Sequence, residues 1–165
     1  MAWFDSTTGL NTKFGTELTT PQAGGEIMTQ TDSREIEFSL TLTAAATGAA
    51  IPTGCDNIFF PTGVRIEQVE IIVDTAATSG GSAVLNIGLQ RLDRSTELDY
   101  DGFVAAATLA SMNAAGKKIV YNVGSTSAGA LIGTTLANPG YLTFDYDTAA
   151  FTAGVIRVRV KYYKI

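Results

Sequence analysis

From Glu35 to Leu42 apolar and polar residues alternate without a break, and from Ile156 to Tyr162 they do so again. A period of two marks a strand with one buried and one wet face, because successive side chains point to opposite sides. In the first run Ile36, Phe38, Leu40 and Leu42 share a face. In the second, Ile156, Val158, Val160 and Tyr162 face one way, while Arg157, Arg159 and Lys161 face the other. Neither run can serve as an amphipathic helix. Both predict half-buried sheet strands.

The chain between them reads the same way. Val64 and Ile66 keep one phase and Val69, Ile71 and Val73 the other, so a strand over about 64–74 carries a β-bulge near Glu67-Gln68. Pro61 to Gly63 forms the turn into it. Thr75 to Ser82, with Gly80-Gly81, reads as a hairpin loop to an antiparallel strand at about 83–92 that buries Leu85, Ile87 and Leu89. Further strands are predicted at about 118–123, 130–136 and 140–146, the last after the turn Asn138-Pro139-Gly140. The alanine-rich run Phe103–Met112 has helical spacing, with Asp101 placed as its N-cap and Gly116 beyond its end.

Residues 34–165 therefore predict an all-β, antiparallel β-sandwich with one short helix. Its long non-hairpin connections favour a jelly-roll-like path over a meander. Residues 1–33 lack a sustained period and contain Pro21 and Gly24-Gly25. They read as an extended N-terminal arm, with a disordered tail as the alternative. Aromatic residues in a polar segment favour docking, so Trp3, Phe4 and Phe14 are candidate contacts.

Catalytic chemistry has little to draw on. The chain has no histidine and one cysteine, and charged residues make up 16% of it. That removes His-dependent nucleophilic triads and the commonest transition-metal ligand. No phosphate-binding or dinucleotide glycine fingerprint is present. Glu97, Asp99, Asp101 and Gly102 match the opening of a calcium loop, but the position that should supply the bidentate glutamate is Thr108. Capping and a turn explain the acids without a metal. Asp145-Tyr146-Asp147 reads as a strand end with outward acids. No catalytic residue, cofactor or metal ligand is assigned, and the chain is expected not to be an enzyme.

The net charge of −5 argues against nucleic acid as a partner. No apolar run approaches the roughly 20 residues that span a bilayer, and the N-terminus lacks a secretory pattern, so no membrane partner and a cytoplasmically made product are expected. Arg157, Arg159 and Lys161 form a cationic comb on one strand face. Either acids on a neighbouring strand balance it, or it meets an acidic partner surface.

Two stretches look familiar as a set. One is Ile58-Phe59-Phe60-Pro61-Thr62-Gly63-Val64-Arg65-Ile66-Glu67-Gln68-Val69, followed by Val73-Asp74-Thr75-Ala76-Ala77-Thr78. The other is Asp101-Gly102-Phe103-Val104-Ala105-Ala106-Ala107, with the closing run Phe151 to Tyr162. Over about 58–162 the chain resembles small β-sandwich virion proteins of tailed bacteriophages, the capsid decoration or cement proteins and head-associated spikes. The resemblance implies a jelly-roll-like fold, often trimeric, bound outside the capsid where major capsid subunits meet, with no catalytic residues.

The expected function is thus decoration and stabilisation of a phage capsid through the major capsid protein, as a homotrimer on the virion exterior. Trp3, Phe4, Phe14, Arg157, Arg159 and Lys161 are the candidate capsid or inter-subunit contacts. The alternative is a carbohydrate-binding receptor-recognition module of a head or tail fibre, with tyrosines as stacking platforms.

Overall fold

The computed structural model describes residues 3–4, 12–13, 33–45, 58–93 and 97–164. The chain divides into two units, Met1–Gln30 and Thr31–Ile165. In the first, strands β1 (Trp3–Phe4) and β2 (Thr12–Lys13) pair antiparallel, with Trp3 opposite Lys13 and Phe4 opposite Thr12. Of the rest of the segment 1–33 read as an extended arm, Ser33 opens the first strand of the second unit, and all else, Phe14 included, lies outside the described residues, as does Cys55.

The second unit holds β3 (Ser33–Thr41), β4 (Phe59–Phe60), β5 (Val64–Ser79), β6 (Val84–Gln90), β7 (Glu97–Thr108), α1 (Leu109–Met112), β8 (Lys118–Tyr121), β9 (Gly140–Asp147) and β10 (Phe151–Lys164). They form two four-stranded antiparallel sheets, ordered β3-β10-β5-β8 and β4-β9-β6-β7. Every connection crosses from one sheet to the other except β6 to β7. That interleaving is a jelly roll, the double-sheet answer to an all-β chain that must bury one face of each strand.

The inner faces follow the alternation. Across the first sheet Val160 lies between Ile36 and Val69, and Val158 between Phe38 and Ile71. Ile156 lies between Leu40 and Val73 in the same way. The bulge falls where the phase of β5 changes: Lys161 pairs with Gln68 but Tyr162 with Ile66, which leaves Glu67 as the extra residue. Opposite this sheet, Leu85, Ile87, Leu89, Leu142 and Phe144 complete the core. Phe60 stacks edge-on against both Phe103, at 5.2 Å, and Tyr162, at 5.6 Å, so it joins the two sheets near one end of the sandwich.

Four sequence expectations are corrected. First, the alanine-rich run is not a helix: Phe103–Thr108 belong to β7, α1 is only Leu109–Met112, and Asp101 lies within the strand and caps nothing. Burial of Phe103, Val104 and Ala107 against the core outweighs the intrinsic helix preference of alanine. Second, residues 75–79 are not loop but the end of β5, and β5 and β6 lie in different sheets without pairing. Third, residues 130–136 form turns with isolated bridges at Ile132 and Thr135, not a strand. Fourth, Asp145 is not an outward acid; it is buried.

Candidate functional site

The outer face of the first sheet carries the cationic comb. Because β10 lies between β3 and β5, each cation has a neighbour on both sides. Arg159 stands directly between Glu37 and Glu70, Lys161 between Glu35 and Gln68, and Arg157 between Ser39 and Ile72. Arg157 reaches diagonally to Asp74, its Nε donating to both carboxylate oxygens at 3.0 and 2.8 Å and Nη2 donating to Oδ1 at 3.0 Å. Its Nη1 lies 3.5 Å from Glu37. Arg159 Nε donates to Glu37 Oε2 and lies 3.8 Å from Glu35, while Nη1 is 3.7 Å from Glu70.

Lys118 on β8 closes the row, with Nζ 2.7 Å from Glu70 Oε2. Glu70 is only 6% exposed, because the long side chains around it lie over its carboxylate.

The electrostatics are those of a balanced ladder. The hydrogen bond from Arg159 holds the Glu37 carboxyl below its usual range. The partners Asp74 and Glu37 raise Arg157 and Arg159 respectively. Four cations (Lys118, Arg157, Arg159, Lys161) face four acids (Glu35, Glu37, Glu70, Asp74). Of the two readings of the comb, the acids of neighbouring strands account for the arginines. No ion pair of Lys161 is found among the described residues. The arginine pairs are solvent-exposed, so they weaken with salt and set the character of the surface more than its stability.

The outer face of the second sheet is quite different, because β7 folds across it. Leu89 pairs with Asp99 but Ile87 with Val104, so a wide bulge of β7 lies between them. It arches over Gly88, where an added Cβ would stand 2.0 Å from the carbonyl oxygen of Asp99. Only glycine admits that approach. Under this cover Asn86, Thr143 and Asp145 are buried on what would otherwise be a wet face.

Asn86 organises the margin of this region. Its Oδ1 accepts the N–H of Ala106 at 2.8 Å and its Nδ2 donates to Asp147 Oδ2 at 2.7 Å. Asp99 and Asp101, two residues apart on β7, share a side-chain hydrogen bond. Partial burial and then Asp101 push the Asp99 carboxyl up to about 6. The charges of Asp101 and then Asp147 raise the Tyr100 hydroxyl.

The calcium-like residues Glu97, Asp99 and Asp101 thus lie in a strand, without the looped backbone that wraps a cation. Among the described residues no three acid, histidine or cysteine side chains group as a metal site. The tyrosines form no exposed row: Tyr121 and Tyr162 are buried, and burial pushes the Tyr121 hydroxyl up to about 12. Tyr141 packs at 5.7 Å against Phe59. Among the described residues no helix is long and apolar enough to cross a membrane.

Sequence reading missed the covered face. Gly88 was the available signal, since a glycine inside an apolar strand marks the close approach of another backbone.

No protein-family profile matches the sequence. No curated protein matches it either. Among solved structures, a chain of the cyanophage Pam1 capsid asymmetric unit superposes with a TM-score of 0.52 at 19% identity, covering 100% of both chains. The likeness is one of fold. Chains from the acid-stable capsid of Helicobacter pylori bacteriophage KHP30 (TM-score 0.49, 15% identity, 79% of this chain and 86% of that one) and from the capsid of Ralstonia phage GP4 (0.48, 17%, 81% and 85%) are also similar.

Proposed function

We propose that this protein is a structural component of a tailed-bacteriophage virion, one that decorates the capsid exterior and stabilises it by binding the major capsid protein. The observation that carries the reading is the jelly-roll topology together with its end-to-end likeness to a chain of the Pam1 capsid. On the outer face of the first sheet Arg157, Arg159 and Lys118 pair with acids of neighbouring strands, a mixed-charge surface that supports contact with another protein. In this reading the protein is made in the bacterial cytoplasm and attaches as a trimer at threefold positions of the shell. Modest contacts repeated over many copies add to a high avidity.

Residues 1–33 act as the clamp in this scheme, with Trp3, Phe4 and Phe14 as anchors, and Arg157, Arg159 and Lys161 contribute to contacts with shell or neighbour. Mass spectrometry of purified virions should find the chain on the mature particle, and cryo-electron microscopy should find it outside the shell. Absence from the particle overturns the proposal. A variant lacking residues 1–33 should lose retention on purified capsids, and unchanged retention removes the clamp from the scheme.

A further inference from the structure

After Tyr121 the chain leaves the first sheet and crosses to β7, and at Ile132 it is back against the first sheet. Both of those residues are buried, but no side chain of residues 122–131 is. Three backbone hydrogen bonds hold this crossing down on β7. Ser127 accepts the N–H of Ala105 at 2.9 Å, Gly129 donates to Phe103 at 3.1 Å and Leu131 donates to Gly102 at 2.8 Å. Gly124 enters the crossing at a φ of 83°, and Ser127 is held at 63°, a left-handed conformation that disfavours a residue with a Cβ. Beyond it, Gly133 and Leu136 donate to Ile66 and Val64, which fastens the chain to β5.

The crossing closes over two carboxyl groups. A Cβ added at Gly102 would stand 2.5 Å from Leu131 Cδ1 and 2.8 Å from the carboxyl carbon of Asp99, so the leucine and the acid lie together over that glycine. Asp99 is hydrogen-bonded to Asp101, and Glu97, also on β7, acts on it as well. Among the described elements around the pair, β6, β7, β9 and residues 122–131 contain no lysine or arginine. From β6 come Asn86 and Gln90, which do not titrate, and from β9 come Asp145 and Asp147, whose charges act on Tyr100. Residues 122–131 carry no ionisable side chain.

We infer that residues 122–131 are a proton-controlled lid on the second sheet, shut over β7 while Asp99 and Asp101 share a proton and lifting more readily, between Tyr121 and Ile132, once both are ionised. Two carboxylates side by side beneath a leucine, with no cation to offset them, repel each other and are short of water. Raising the lid restores the water. Burial and then Asp101 push the Asp99 carboxyl up to about 6, from an ordinary 3.8. The lid is therefore tightest below pH 3.8, and the effect is lost as pH rises through about 6. Lifting uncovers the Ala105 N–H and the carbonyls of Gly102 and Phe103, so acid seals this stretch of strand edge and neutral solution loosens it. The device belongs to the single chain and does not depend on capsid attachment.

Amide hydrogen exchange of the full-length protein, read as protection factors, tests the lid. Gly129 and Leu131 should exchange faster than Val158 and Val160 of β10 at any pH, because the lid opens without unfolding the sheets. Their protection should fall on the order of fivefold between about pH 4.5 and about pH 7.5, and Asp99→Asn should abolish that fall. Leu131→Ala strips the cover, so the Asp99 carboxyl, followed by NMR, should titrate closer to 3.8 than it does in wild type. The inference is overturned by lid amides as protected as those of β10, or by wild-type protection that does not change with pH. A fall that survives in Asp99→Asn, or an Asp99 midpoint unmoved by Leu131→Ala, overturns it equally.

Discussion

The side-chain oxygen of Asn86 accepts the backbone N–H of Ala106 at 2.8 Å, and Ala106 is held there at a φ of 57°. That left-handed conformation disfavours any residue with a Cβ. The contact therefore holds a bulge that β7 would not adopt unaided, while the amide nitrogen of the same side chain ties in Asp147. Asn86→Ala removes both bonds from a buried position. It should lower stability by about 2 kcal/mol, read as a smaller denaturation midpoint at unchanged denaturant slope.

Gly88→Ala tests the cover itself. A methyl group at this position collides with backbone, not with a flexible side chain. The arch of β7 must lift, at a cost of about 3 kcal/mol or more. Faster exchange of amide hydrogens over Asp99–Phe103 should accompany the loss, with little change along β10.

Acid should strengthen this part of the fold. The Asp99 carboxyl titrates at about 6 in the folded chain, above its ordinary value of 3.8. The folded state therefore binds this proton more tightly than the unfolded state, so the group's stabilising effect is present below pH 3.8 and is lost as pH rises through 6. Asp99 is only half-buried, and solvent screening reduces the effect to about 1 kcal/mol. Asp99→Asn should keep a donor to Asp101 without the proton, flatten the stability profile between pH 4 and 7, and raise the melting temperature at pH 7.5. A profile for Asp99→Asn parallel to wild type would refute this account.

On the opposite face, Lys118→Met leaves the buried Glu70 carboxylate with only the more distant Arg159. We expect a loss of about 1–2 kcal/mol, since the lysine itself is largely exposed. Lys118→Met/Glu70→Met should recover most of it, because a buried apolar pair carries no uncompensated charge. A double variant no better than the single would contradict the pairing.

Phe60→Ala should be the most damaging core change, at about 3–5 kcal/mol, because it empties the contact shared by Phe103 and Tyr162. Fluorescence and circular dichroism transitions that remain coincident would show a weaker but still cooperative fold.

Strands whose faces differ were legible before any coordinates. Ile36 to Leu42 and Ile156 to Tyr162 alternate because one side meets the core and the other meets water, and the phase change near Glu67-Gln68 placed the bulge to within a residue of where it lies, at Glu67. What alternation cannot report is a face covered by another part of the chain. Asp145 and Thr143 sit in outward phase and are buried all the same, Thr143 directly beside the Gly88 over which β7 arches. The run Phe103–Ala107 misled for a related reason: its alanines are small enough to fit a crowded strand, and small residues are also good helix formers. Likewise Gly80-Gly81 marked a turn, but nothing local says whether a chain turns back beside itself or passes to the opposite layer. The ionic ladder was half visible, since the comb could be read from β10 alone and its acids lie on strands distant in sequence.

The place of β10 has a consequence for biosynthesis. This strand is the last of the described strands to leave the ribosome, yet it belongs in the middle of its sheet, between β3 and β5. Until it arrives, those two strands have no common neighbour and the inner row of valines and isoleucines is missing its central column. A chain cut short before Phe151 therefore leaves β3 and β5 without the strand that both pair with, and should not hold the first sheet together.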